Sequence, residues 1–155
     1  MQAGAWDPAG FLLPGESLAS RLAADAEACS VRQVDPLSIG SRLVELLATA
    51  DSSDVGRPER IGEFLVSVIH QRGLMTCPWA AEEFAACPVG PGGRPTANRF
   101  RIVRAQAAIE GYELFAHLIG AHGFFGGIGT RYRLEPERLM HVMQPGSGSE
   151  TSPAG

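Results

Sequence analysis

The sequence predicts a mainly α-helical protein: a helical bundle with one C-terminal β-hairpin, a winged-helix-like arrangement. Apolar residues recur at spacings of three and four over several segments, which is typical of amphipathic helices. A cluster of glycines and alternating polar and apolar residues follows the longest such segment, which indicates a hairpin. With 155 residues, 45% of them hydrophobic, the chain is long enough for one compact domain.

The N-terminal third divides into an arm, two helices and a linker. Residues 1–15 are predicted to be an extended arm that carries Trp6 and Phe11 among glycines and prolines. Residues 16–50 are predicted to form a helical hairpin, with Ser17 capping the first helix and Asp35-Pro36 opening the second. Polar and turn-forming residues at 51–58 indicate a linker.

Residues 59–143 are predicted to form a helical core that contains the hairpin. A third helix is expected over 59–72 because its apolar residues share one arc. A short helix with Pro78 in its first turn follows. The longest helix is expected over 96–119, apolar on two sides, and therefore central or shared between two protomers. The hairpin over 123–134 and a last helix ending near Met143 complete the core, and 144–155 is expected to be a disordered tail.

Positive charge is concentrated in one part of the chain. The net charge is −4, and all 13 basic residues are Arg. No acidic residue occurs between Glu83 and Glu110, although four arginines do: Arg94, Arg99, Arg101 and Arg104. This block is either a solvated helix end, a set of arginines paired with acids elsewhere, or a contact surface for an anion or a nucleic acid.

Three segments carry a resemblance to a known family: RGLMTCPWAAEEFA, GRPTANRFRIVR and GGIGTRYRL. Over roughly residues 59–135, their order resembles a winged helix-turn-helix DNA-binding domain. The resemblance implies a recognition helix in the major groove and a wing that touches phosphates or the minor groove. It therefore implies a non-catalytic transcriptional regulator whose partner is DNA.

The same resemblance assigns the contact residues. Near the start of the long helix, Arg94, Asn98, Arg99 and Arg101 would face base edges or phosphates, because Arg pairs with guanine and Asn with adenine. On the wing, Arg131 and Arg133 alternate with Tyr132 and would point to one side together.

The sequence is also compatible with two other functions. The first is a protein-interaction or antagonist module, expected to be a homodimer, that acts through the two-sided apolar helix and the arm. The second is a Cys-dependent enzyme, because a thiol such as Cys77 at a helix N-terminus, paired with a His base, can act as a nucleophile.

No metal ion, cofactor or membrane contact is predicted. Cys77 and Cys87 are too far apart in sequence for a zinc knuckle, and His117 and His122 cross a predicted helix end instead of sharing a face. No apolar run is long enough to span a bilayer, and no signal peptide is evident. The three cysteines favour a reducing compartment, so a cytoplasmic location is expected.

Overall fold

In the part of the chain that the structure describes, four α-helices and a four-stranded antiparallel sheet build the fold, so the prediction of a mainly α-helical protein is wrong. The computed structural model describes residues 11–51, 57–80 and 96–144. The helices are α1 (Leu18–Val31), α2 (Pro36–Asp51), α3 (Leu114–His122) and α4 (Pro136–Met143), with a short 3₁₀ helix at Pro78–Ala80. The strands are β1 (Glu59–Ile61), β2 (Phe64–Ile69), β3 (Arg99–Arg104) and β4 (Ala107–Tyr112), and they neighbour one another in that order.

Helices α1, α2 and α4 lie where helices are predicted, and their first turns show why. The Ser17 hydroxyl accepts a hydrogen bond from the backbone N–H of Ser20 (3.3 Å) ahead of α1. Before α2, the Asp35 carboxylate accepts one from the N–H of Leu37 (3.1 Å). Pro136 begins α4, where the missing N–H of proline has no cost. Side-chain caps therefore mark the start of α1 and α2, and a proline in the first turn marks the start of α4.

The predicted helix over 59–72 is wrong, because these residues form strands β1 and β2. Phe64, Val66 and Val68 are buried while the residues between them are more exposed, which is the two-residue period of a strand. Gly62, at a φ of 58°, makes the tight turn between the two strands. The β-branched residues in this segment favour extended backbone over helix.

The predicted long helix over 96–119 is also wrong. Its first half is the β3–β4 hairpin, which turns at Ala105 with a φ of 50°. Phe100 and Ile102 point into the core, while Arg99 and Arg101 lie on the outer face. Only the second half is helical, as α3, and Gly123 ends it in the left-handed conformation.

No strand forms at 123–134 in the described structure, so the predicted C-terminal hairpin is wrong. Gly126 and Gly129 adopt positive φ angles and fold this segment into turns. Its backbone packs against the N-terminal segment, where the N–H of Gly127 donates to the carbonyl of Phe11 (2.7 Å). The Phe11 ring is buried against Phe115 and Tyr132.

The core lies between the sheet and two helices. Helix α2 packs against α3 and β2, and α4 packs against β3, β4 and α1. The Phe100 ring lies over Gly111, where a Cβ would come within 3.0 Å of that ring. The packing of α3 against α2 holds α3 in place. Helix α3 carries two of the side chains considered next.

Some predictions fall on residues outside the described ranges. They are Trp6 and most of the predicted arm, most of the predicted linker, the loop with Arg94, and the predicted tail from 145 onward. Among the described residues, no helix combines the length and the apolar character needed to cross a membrane.

Candidate metal centre

Cys77 lies at the end of an extended segment that is fixed to the start of β3. Met75 and Thr96 exchange two backbone hydrogen bonds, of 3.4 and 3.0 Å. The Thr96 hydroxyl in turn donates to the Glu113 carboxylate (3.2 Å), just before α3. These contacts hold the Cys77 segment against the same part of the fold from which α3 begins.

Helix α3 supplies two histidines to the same place. His117 is buried in the middle of α3, and His122 is its last residue and partly exposed. The two rings lie 5.2 Å apart and nearly perpendicular, at 84°. The two residues are five positions apart and so do not share one face of the helix. The His122 ring, at the last residue of α3, nevertheless lies beside the His117 ring.

Cys77, His117 and His122 form one cluster. Their sulfur and nitrogen ligand atoms all lie within 4.8 Å of one another. The Cys77 Sγ is 3.3 Å from His122 Nε2, close enough for a hydrogen bond that involves sulfur. Cys77 and His117 are each only 1% exposed, so the cluster reaches the surface at His122.

Trp79 fixes the orientation of the His122 ring. Its indole stacks on that imidazole with ring centroids 4.2 Å apart and planes 7° from parallel. The indole also makes an edge-on contact with the buried ring of Phe124, with ring centroids 5.8 Å apart. Trp79 therefore covers one face of the His122 ring, while the Cys77 sulfur contacts the ring at Nε2.

The surroundings favour a neutral His122. Burial lowers the pKa of the His122 imidazole below its usual value, and the neighbouring His117 lowers that pKa further. A neutral imidazole has a lone pair that can accept a proton or bind a metal ion.

Asn98, which the winged-helix resemblance assigns to base contacts, is buried in a polar network. Its amide donates to the Glu113 carboxylate (2.9 Å) and its carbonyl oxygen accepts from the N–H of Gln71 (3.3 Å). Asn98 therefore links the segment after β2 to the residue that precedes α3.

The arginines predicted to contact DNA are spread over different surroundings. Arg99 and Arg101 are exposed on the outer face of the sheet. Arg101 pairs with Glu110 on the neighbouring strand β4 (3.4 Å). Arg104, which belongs to the basic block but not to the predicted contact residues, pairs with Glu63 on the turn between β1 and β2 (3.0 Å). Arg94 lies outside the described residues.

The two predicted wing arginines differ in burial. Arg131 donates to the hydroxyl of Tyr132 (2.6 Å). Arg133 is buried against Asp25, with a side chain only 6% exposed. DNA binding stays a prediction, now without a recognition helix at 96–119 or a hairpin wing at 123–134.

The protein-interaction alternative also stays a prediction. The long two-sided helix that suggested it is replaced by β3, β4 and α3. The apolar side chains of Phe11 and Leu12, part of the predicted arm, are buried in this chain's own core.

A His base beside Cys77 is one expectation from the sequence, but nothing in the sequence identifies that base as His122 or places His117 with it. Cys77 and His122 are 45 residues apart, and only the tertiary fold brings them together. The available signal was weak: one cysteine beside a proline and two histidines near a helix end. Comparisons with protein-family models, with curated proteins and with solved structures found no match to this chain.

Proposed function

We propose that this protein binds a divalent transition-metal ion, zinc first, through Cys77, His117 and His122. The observation that carries the proposal is the convergence of three donor atoms within 4.8 Å, from two separate parts of the chain. One thiolate and two imidazoles are donors that zinc prefers in proteins.

The donor spacing suits a tetrahedral ion. Zinc binds thiolate sulfur at about 2.3 Å and imidazole nitrogen at about 2.0–2.1 Å, so S and N ligands of one ion lie roughly 3.5 Å apart. The observed Sγ–Nε2 distance of 3.3 Å is close to that value. Binding of an ion would draw the remaining donor atoms, which lie within 4.8 Å of one another, to the same spacing.

The site is also organised before any ion binds. The Cys77 segment is fixed by its pairing with Thr96, and α3 is fixed by its close contact with α2. The neutral state favoured for His122 reduces competition from protons near pH 7. Little conformational entropy is then lost when the ion binds.

A second function is supported by the same 3.3 Å contact between Cys77 and His122. A thiol beside a histidine is the arrangement of a nucleophile and its base, as a Cys-dependent enzyme requires. Reactive cysteines are usually partly exposed, however, whereas Cys77 is 1% exposed. This burial favours metal binding over nucleophilic chemistry.

Zinc is expected to stabilise the wild-type protein and not the Cys77→Ser or His117→Ala variants. At a free zinc concentration 100 times the Kd, binding adds about 2.7 kcal/mol to the free energy of unfolding, or roughly 8 °C in Tm for a chain of this size. Thermal unfolding followed by circular dichroism, with zinc or with a chelator, measures this shift.

Cys29→Ser is the matched control. Cys29 is as buried as Cys77 but lies in α1, outside the cluster. Burial raises the pKa of the Cys29 thiol, and the charges of Asp25 and Asp35 raise that pKa further, so the metal-binding thiolate is disfavoured there. The Cys29→Ser variant should keep the full zinc response. Equal responses in all four proteins, or a wild type that ignores zinc while iodoacetamide rapidly alkylates Cys77, contradict the proposal.

A further inference from the structure

We infer that a cavity between the sheet and the start of α4 binds a small organic monocarboxylate. The cavity has a volume of about 360 Å³, within the range of about 300–1,000 Å³ that is usual for small-molecule sites. Its walls come from β3, β4 and residues 133–139, and so differ from the residues of the Cys77 cluster. Binding in this cavity is therefore separate from the proposed metal binding.

The charged side chains on the walls are the first observation. Three arginines and two glutamates line the cavity: Arg101, Arg133, Arg138, Glu110 and Glu135. Arg101 pairs with Glu110 (3.4 Å), and Arg133 pairs with Glu135 (2.8 Å) and with the buried Asp25 (2.8 Å). Arg138 instead donates its Nε–H to the backbone carbonyl of Ala108 (3.0 Å), which is a neutral acceptor. That bond does not neutralise the charge of Arg138, whereas a carboxylate in the cavity would.

The bond to Ala108 also orients the Arg138 guanidinium. A guanidinium has five N–H donors in one plane, and only one of them is on Nε. The terminal nitrogens carry the other four, and one N–H from each of these nitrogens matches the two oxygens of a carboxylate. The carbonyl at the edge of β4 therefore holds Nε while the terminal nitrogens can bind a carboxylate at two points.

The two glutamates restrict the charge of the ligand. The side chains of Glu110 and Glu135 are 57% and 60% exposed, and both line the same cavity as Arg138. A second negative charge on the ligand would face these carboxylates and be repelled by them. A monocarboxylate therefore fits the cavity better than phosphate or a dicarboxylate does.

Apolar side chains on the walls restrict the rest of the ligand. Ala108, Leu134 and Leu139 line the cavity together with the charged groups. Leu134 and Leu139 are only 3% and 0% exposed, so the apolar surface that they offer is shallow. A hydrocarbon group of a few carbons can be buried there. The expected ligand class is therefore short-chain carboxylic acids.

Nuclear magnetic resonance of the isotope-labelled, full-length protein tests the inference with isovalerate as the probe. At neutral pH and constant ionic strength, we expect saturable shifts of the backbone amide signals of Ala108, Ile109 and Arg138. Isovaleramide, which has the same shape without the charge, and phosphate should bind much more weakly. If isovalerate causes no saturable shift, or if the amide or phosphate binds equally well, the inference is overturned.

Arg138→Gln should weaken isovalerate binding about tenfold or more, because glutamine cannot make the charged contact at two points. Arg42→Gln is the matched control, since Arg42 is also an exposed arginine on a helix but does not line this cavity. Its affinity for isovalerate should equal that of the wild type. Equal affinities of the wild type and Arg138→Gln overturn the assignment of the carboxylate to Arg138.

Discussion

Gly40→Ala is expected to destabilise the protein by about 3 kcal/mol, the upper end of the usual cost of overpacking a core. A Cβ at position 40 would lie 2.3 Å from the Cα of Gly120, 2.4 Å from its backbone nitrogen and 2.8 Å from the carbonyl oxygen of Ala116. All three atoms belong to the backbone of α3, so no side-chain rotation relieves the clash. Helices α2 and α3 would have to move apart.

Urea unfolding of Gly40→Ala measures this loss, and Tm should fall by roughly 10 °C. Gly120→Ala is the matched control, since a Cβ there meets the Cα of Gly40 at 3.2 Å, tight but within reach of a small adjustment. The gain in helix propensity of about 1 kcal/mol is the same for both changes. Equal stabilities of the two variants would show that the helices are not in the close contact described. Because α3 carries His117 and His122, zinc binding should also weaken in Gly40→Ala.

Asp25→Asn is expected to cost about 3 kcal/mol, because it removes the main partner of a buried cation. The Asp25 carboxylate accepts two hydrogen bonds from the Arg133 guanidinium, of 2.8 and 3.0 Å, and the two side chains are 3% and 6% exposed. Arg133 keeps Glu135 at 2.8 Å, but that carboxylate is mostly in solvent. The amide leaves Arg133 with a buried charge that is only partly compensated.

Glu45→Gln is the control for Asp25→Asn, because it makes the same chemical change in an exposed pair. Glu45 and Arg42 lie 3.3 Å apart with side chains 69% and 52% exposed, so the loss should be less than about 1 kcal/mol. A double variant, Asp25→Leu with Arg133→Met, should recover part of the stability lost in Asp25→Asn, since the buried guanidinium of Arg133 is removed together with its partner. Arg21, which also pairs with Asp25 (3.6 Å), keeps Glu16 at 3.5 Å. A loss in Asp25→Asn no larger than in Glu45→Gln would contradict the role of this pair.

Elements that are fixed by local signals are predicted well from this sequence. Helices α1, α2 and α4 each combine a helical period with a capping residue or a proline at the first turn, and each lies where it is predicted. The segments that failed have apolar residues that fit both periods. Ile61, Phe64 and Val68 share a helical arc, yet the alternation of Phe64, Val66 and Val68 gives the strand.

The candidate site is harder to predict for a different reason. Its residues belong together only through the packing of α3 beside the Cys77 segment, a contact between distant parts of the chain. The buried Arg133 is another example, because polar and apolar alternation predicted it on an outward-facing strand. Its partner Asp25 lies 108 residues away in α1. Pairwise tertiary contacts of this kind leave no periodic signal in a single sequence.

Anomalous X-ray diffraction from crystals of the zinc-loaded protein, with data on both sides of the zinc edge, tests the metal centre most directly. We predict one strong peak about 2.3 Å from the Cys77 sulfur and about 2.0–2.1 Å from one nitrogen each of His117 and His122. A zinc-loaded crystal with no peak among these three side chains, or with its only peaks at other residues, would contradict the assignment.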